Sequence, residues 1–270
     1  MKLCYPITGP ESGDITMAMG GDFEKGLQTL HQIGFHGIEL MIRDPNKVNI
    51  KDLRRLLSKY GLVLAAVGVT PMVLQDKLTL SHSKKEMREE AIKRALSAIK
   101  LASEFGAPFC IGSFRGFINE EDENNNLENA KSSFRKICDF AQKINTEILL
   151  EPQGLKNSNY INTIDEGLDW IEQVGYNNLR LILDFFQIAD NEVFIFRNIL
   201  KTIEKVGLIH VSDSKRLLMG FGDIQVKEFI SMLLSMGYEG FFSTEIIQIP
   251  DSATAAQMSF SYYEYLQKII

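Results

Sequence analysis

Residues 163–184 read TIDEGLDWIEQVGYNNLRLILD, and they contain one complete repeat of the fold. Thr163, with Glu166 three residues on, forms an S/T-x-x-E capping box, a helix start in which each residue satisfies a backbone donor of the first turn. Leu168, Ile171 and Val174 follow at near-3.6 spacing and give that helix one apolar face, and Trp170 beside them reads as packing. Gly175 ends the helix, because a residue without a Cβ enters the left-handed conformation at little cost. Residues 179–183 are then an apolar run short enough for a buried strand, and the run closes on Asp184.

The same unit recurs in both directions. Apolar runs lie at 3–7, 37–41, 62–67, 109–111, 147–150, 179–183, 208–211 and 241–246. Helical patterns separate them, as at 90–105, where Ile92, Leu96, Ile99 and Phe105 share a side. Gly34, Gly61, Gly106, Gly175, Gly207 and Gly237 each stand before such a run and read as helix ends, and Asn145 can fill that place before the fifth. Strands alternating with helices require a parallel sheet. Eight such units in 270 residues predict a (β/α)8 TIM barrel, with residues 1–270 as a single domain. A doubly wound open sheet is the alternative. It lacks support, since no GxGxxG follows the first run and no GxxxxGK[ST] occurs.

Composition narrows the partners. The chain has 45% hydrophobic and 24% charged residues and a formal net charge of −6. Nucleic acid is therefore not expected as a partner, because its phosphates call for a basic face. No run of about 18 apolar residues exists, so no membrane span is expected. Cys4, Cys110 and Cys138 are too scattered for a disulfide framework or a CxxC site, and no apolar signal stretch opens the chain. A cytoplasmic protein is expected. The acidic stretch 119–126, NEEDENNN, reads as an exposed loop.

In a parallel barrel the chemistry gathers where strands end. The fifth run ends on Glu151, the sixth on Asp184, the seventh reaches His210, and the eighth ends on Glu245. Taken singly, Glu151 or Asp184 could be a helix cap or a surface residue, and His210 a hydrogen-bonded core histidine. Together they place three carboxylates and an imidazole around half of one barrel mouth. Carboxylates that converge repel one another unless a cation neutralises them. The set suits one divalent ion such as Mn²⁺, Co²⁺, Mg²⁺ or Zn²⁺. Glu39, at the end of the second run, has two open readings, as pocket lining or as the partner of a neighbouring cation. Arg115 and Lys215 fall in strand-to-helix loops and read as solvated charges, with a phosphate contact as the alternative.

These residues resemble a known family. Glu151-Pro152, Leu183-Asp184, His210-Val211-Ser212-Asp213 and Thr244-Glu245 look like the xylose isomerase-like TIM barrels. Within them the chain is most similar to the sugar isomerase and epimerase group, which includes D-tagatose 3-epimerase-like, hydroxypyruvate isomerase-like and inosose dehydratase-like proteins. Phe35-His36-Gly37-Ile38-Glu39-Leu40 resembles that group's second strand, and residues 220–224, GFGDI, its loop before the seventh helix. The resemblance implies that Glu151, Asp184, His210 and Glu245 hold the metal. It also implies that Glu151 and Glu245 carry a proton off and onto the carbon beside a ketose carbonyl, through an enediolate, and that Arg216 reaches the substrate. The chemistry is consistent: a Lewis acid stabilises the enediolate, and carboxylates on two strands can address its two faces.

Two positions depart from the epimerase pattern. Gln187 stands where a histidine is usual, and Asn157 where a second glutamate is usual. Both are expected to meet substrate hydroxyls, with Arg216 and Glu39, but neither can carry charge. Asn162 fits a later asparagine of the pattern. The expected activity is an isomerase or epimerase of a sugar or sugar phosphate. The alternatives are a metal-dependent dehydratase of a cyclic polyol ketone and a catalytically weak sugar-binding barrel. A small-molecule sugar is the expected partner, with the chain as a homodimer or homotetramer.

Overall fold

A computed structural model describes residues 1–119, 123–191 and 195–270. Its strands are β1 (Lys2–Thr8), β2 (Gly37–Met41), β3 (Val63–Gly68), β4 (Phe109–Ile111), β5 (Ile148–Leu150), β6 (Leu179–Asp184), β7 (Val206–Val211) and β8 (Phe241–Thr244). They close into a barrel in chain order, all parallel, with β8 paired to β1. The helices between them are α1 (Phe23–Ile33), α2 (Ile50–Tyr60), α3 (Thr70–Asp76), α4 (Lys85–Ser103), α5 (Glu123–Lys143), α6 (Ile164–Val174), α7 (Phe185–Asn191), α8 (Ile195–Thr202), α9 (Val226–Ser235) and α10 (Ser252–Ile269). The TIM barrel expected from the alternation is the fold.

Strand periodicity divides the apolar residues into two cores. Successive side chains on a strand point to opposite faces. Ile148, Leu150, Leu181, Leu183, Ile209 and Val211 face outward into the large core between sheet and helices. Leu149, Ile182 and Leu208, with Cys4, Ala66 and Cys110, form a smaller cluster inside the barrel. The same two-residue step carries the inward direction from Leu149 to Glu151, from Ile182 to Asp184 and from Leu208 to His210. The acidic site therefore sits directly on an apolar plug.

Local chemistry fixes the junctions. The Thr163 hydroxyl accepts from the Glu166 amide at 3.2 Å, and the Glu166 carboxylate accepts from the Asn162 amide at 2.6 Å. Gly34, Gly61, Gly106, Gly175 and Gly237 are left-handed, as is Asn145 with φ of 53°. Gly207 is different: it lies inside β7 and has no left-handed backbone. A Cβ there would collide with the Leu149 side chain, so this glycine makes room for the barrel's inner plug rather than ending a helix.

Two further expectations are corrected. Within the acidic stretch, 120–122 lie outside the described residues, but from Glu123 the chain is already helix α5 and Asn126 is buried. Acidic residues suit a first helical turn, and Leu127, Ala130 and Phe134 supply the apolar face. Arg115 is not solvated at all; it is 0% exposed. The three cysteines are free and buried. Among the described residues, no helix is long and apolar enough to cross a membrane.

Candidate metal centre

Each strand-end residue arrives by its own local route. Asp184 closes β6 and caps α7: its Oδ1 accepts from the Phe186 amide at 2.8 Å and the Gln187 amide at 3.2 Å. That leaves Oδ2 for the barrel mouth, so the residue is both a helix cap and a member of the site. His210 pairs with Asp184 in the β6–β7 register. Glu151 and Glu245 lie one residue beyond β5 and β8. Each is anchored through its amide, which donates to Ile111 at 2.9 Å and Val211 at 3.1 Å respectively.

Glu151, Asp184, His210 and Glu245 are all buried, and each offers one ligand atom within 4.8 Å of the others. His210 Nδ1 lies 3.3 Å from Glu245 Oε2, 3.7 Å from Glu151 Oε1 and 3.8 Å from Asp184 Oδ2. Its Nε2 lies 3.2 Å from Glu39 Oε2, which also accepts from the Ser243 hydroxyl at 2.6 Å. Glu39 thus lines the site and adjoins the imidazole at once. Arg216 Nη1 reaches Asp184 Oδ2 at 2.5 Å and Glu245 Oε2 at 2.9 Å, with its guanidinium 4.9 Å over the Phe186 ring.

The electrostatics follow from this crowding. Burial alone would lower the His210 pKa, but Glu39 and Glu245 beside it outweigh burial and hold it well above the ordinary value. Burial would raise the Glu245 carboxyl, but Arg216 and His210 prevail and hold it below its ordinary value. Glu151 Oε1 and both ring nitrogens of His210 are buried without a hydrogen bond. Such orphaned atoms are costly unless a cation takes them up. The charges agree in sign: among the described residues, Arg216 is the one guanidinium that reaches any of the buried carboxylates of Glu39, Glu151, Asp184 and Glu245, so the acidic groups outnumber it. A dication offsets that excess, and three oxygens plus one nitrogen suit Mn²⁺, Co²⁺, Mg²⁺ or Zn²⁺.

Glu151, His210 and Glu245 line a cavity of about 410 Å³, whose walls also include Gln153, Lys156, Asn157 and Phe117, and Asp184 adjoins them from a small neighbouring recess. Glu39 and Arg216 line this cavity, and Asn157 stands exposed at its rim. Gln187 is placed elsewhere. It is buried, its Oε1 accepts from the Gly154 amide at 2.8 Å, and it lines a small recess with Asp184 and Asn162. Asn162 donates to the Gln153 and Ser158 carbonyls at 2.6 and 2.8 Å and so holds the β5–α6 loop in shape.

Sequence reasoning missed Gln153 and Ser243. Gln153 Nε2 donates to Glu151 Oε2 at 2.6 Å, which leaves Oε1 as the unsatisfied atom of that carboxylate. Both residues stand two positions from a strand-end glutamate, so the two-residue strand period was the available signal. Gly112 makes this pair possible: a Cβ there would come within 2.7 Å of Glu151 Oε2 and 2.8 Å of Gln153 Nε2.

The chain resembles known proteins in sequence and in fold. The chain is 25% identical over 217 residues to a ketose 3-epimerase of Arthrobacter globiformis, covering 79% of this chain and 74% of that protein. It is 29% identical over 227 residues to a D-psicose 3-epimerase of Ruminiclostridium cellulolyticum, covering 81% and 76%. In three dimensions it is similar to the crystal structure of D-psicose 3-epimerase with D-tagatose from Clostridium cellulolyticum H10. That superposition has a TM-score of 0.82 at 20% identity and covers 99% of both chains. Residues 27–263 match the family described as xylose isomerase-like TIM barrel, and the chain belongs to that family.

Proposed function

We propose that this chain is a divalent-metal-dependent ketose epimerase, an isomerase that moves a proton at the carbon beside a ketose carbonyl through an enediolate. The observation that carries this reading is the meeting of Glu151 and Glu245, from the ends of β5 and β8, with Asp184 and His210, three of the four lining the cavity. The ketose epimerases among its relatives supply the substrate class.

Glu151, Asp184, His210 and Glu245 would hold the ion. When bound, it supplies Lewis-acid stabilisation of the negative charge that develops on substrate oxygens. Glu151, oriented by the bond from Gln153 to its Oε2, acts as one base. Glu245 handles the proton on the other face, kept ionised by Arg216 and His210. Arg216 also faces the anion of the reacting sugar, and Asn157 and Glu39, which line the same cavity, complete the polar set read as substrate-binding, while Gln187 supports the wall at Gly154 instead. Burial keeps bulk water from quenching the carbanion-like state. We further take residues 1–270 as one domain, the cytoplasm as the compartment, and a homodimer or homotetramer as the working form, which sedimentation velocity checks.

The test is proton exchange in deuterated water. Wild type with Mn²⁺, given a panel of free and phosphorylated ketoses, should wash deuterium into the carbon beside the carbonyl. Glu151→Gln and Glu245→Gln should each slow this by about 10²–10⁴-fold, the usual worth of a positioned general base. Rapid exchange in both variants would overturn the assignment, and loss of water from a cyclic polyol ketone without epimer would replace it with the dehydratase reading.

A further inference from the structure

Arg115 sits in the loop after β4 with its guanidinium wholly enclosed. Nη1 donates to the Glu151 carbonyl at 2.5 Å and the Gly112 carbonyl at 3.4 Å. Nη2 donates to the Ile161 carbonyl at 3.0 Å. Nε donates to the Ser158 hydroxyl at 3.1 Å and the Tyr160 carbonyl at 3.2 Å. Every one of these acceptors is a carbonyl or a hydroxyl. A buried cation held in this way is expensive, and burial pulls its pKa down to about 10, still high enough to keep the charge at neutral pH. A surface loop has no need of such a residue.

What the contacts share is one segment. Glu151 opens the β5–α6 loop, and Ser158, Tyr160 and Ile161 close it. The cavity residues Gln153, Lys156 and Asn157 lie between. Ile161 is left-handed, with φ of 59°, an uncommon conformation for a β-branched residue, and its carbonyl is the one that accepts from Arg115 Nη2. The grip is mutual: the Tyr160 hydroxyl donates to the Arg115 carbonyl at 2.9 Å, and Asn159 and Ile118 exchange two bonds of 2.8 Å between the same loops.

We propose that Arg115 is a positioning residue, which sets where the Glu151 carboxylate stands among the metal ligands by clasping both ends of the β5–α6 loop. With the Glu151 carbonyl held below and Gln153 holding Oε2, only Oε1 is left to face His210. Lysine cannot replace it: three donors on one point charge do not span the carbonyls of residues 151 and 161 as a planar fork does. The inference rests on Glu151 being a ligand, as read above.

The experiment is Mn²⁺ titration calorimetry on Arg115→Lys, which keeps the charge, with amide hydrogen exchange over residues 153–162. Near-UV circular dichroism establishes that the variant is folded. Mn²⁺ affinity should fall by about 10–100-fold, the usual cost of losing an outer support of a metal ligand, and the loop amides should lose protection. Wild-type affinity in folded Arg115→Lys overturns the proposal. If that variant does not fold, Ser158→Ala removes one acceptor without stranding a charge; it should weaken Mn²⁺ severalfold, and unchanged affinity is again fatal. Glu151→Ala, titrated in parallel, separates the causes. If it weakens binding while Arg115→Lys does not, positioning alone is wrong. If neither weakens binding, the ligand reading falls as well.

Discussion

The loops after β5 and β7 flank the same site and are held by opposite chemistry. The β5–α6 loop is clasped through its carbonyls by a buried cation, Arg115. The loop after β7 is clasped through its amides by a buried anion. Asp213 Oδ1 accepts from Ser214 at 2.8 Å and Ile224 at 2.9 Å, and Oδ2 accepts from Gly220 at 2.9 Å. Both loops carry residues forced left-handed, Ile161 in one and Lys215 with Arg216 in the other. Each barrel loop turns an excess of one kind of backbone group inward, and a single buried charge of the opposite sign answers it. The difference lies in what else the arginines do. Arg115 contacts no carboxylate in its grip, whereas Arg216 spends its guanidinium on Asp184 and Glu245.

That contrast breaks most visibly under metal removal. In chelator, Arg115→Met and Arg216→Met should each destabilise by about 3–5 kcal/mol, the usual loss when one side of a buried charged contact is deleted. On the proposed metal site, excess Mn²⁺ would bind only the folded form and would also replace the charge lost at residue 216. Urea unfolding with and without Mn²⁺ should therefore show most of the Arg216→Met loss recovered and the Arg115→Met loss retained. Equal recovery in both would mean that Arg115 serves the acidic cluster by charge and not by shape.

Asp213→Asn should cost less, about 1–3 kcal/mol, since one oxygen still accepts while the new amide group faces the Gly220 N–H. Its loss relative to wild type should be the same in chelator and in Mn²⁺, because the side chain accepts from the backbone amides of residues 214, 220 and 224. A loss that shrinks or grows with metal would erase the distinction between holding a loop and balancing a charge.

The smallest effect belongs to an ion-paired control outside the mouth. Asp76, at the end of α3, bonds Arg43 at 2.6 Å and Arg94 at 2.6 Å. The Arg43 bond, with that of Arg94, holds its carboxyl below the ordinary value against partial burial. A depressed carboxylate adds stability in full above the ordinary carboxylate range and loses it as pH falls through the depressed value. Asp76→Asn should cost about 1 kcal/mol at neutral pH, and its thermal midpoint should converge with wild type in acid. A gap that persists in acid would assign the loss to packing.

Much of this was open to inspection in the chain itself. The strand–helix alternation, the left-handed glycines and the run of Glu151, Asp184, His210 and Glu245 at strand ends are local or periodic features. A closed parallel barrel turns strand periodicity directly into a shared mouth. Gly207 shows where that logic stops, since a glycine before an apolar run serves equally to end a helix or to admit a neighbour's side chain, and the two look alike in one dimension.

Arg115 marks the same limit more sharply. Charge and a loop position say "solvated" to any local rule, because all but one of the partners that repay its burial lie 36 to 46 residues away. All of these partners are backbone carbonyls except one hydroxyl, and backbone groups leave no mark in sequence. Gln187 is similar: its place in the sixth unit was legible, but its turn toward Gly154 was not. The sequence by itself determined the barrel and the ring of acidic and imidazole groups at its strand ends, because both follow from periods of a few residues. The tertiary structure alone decided which charges face the site and which hold the walls that shape it, because that depends on which distant backbone groups each side chain reaches.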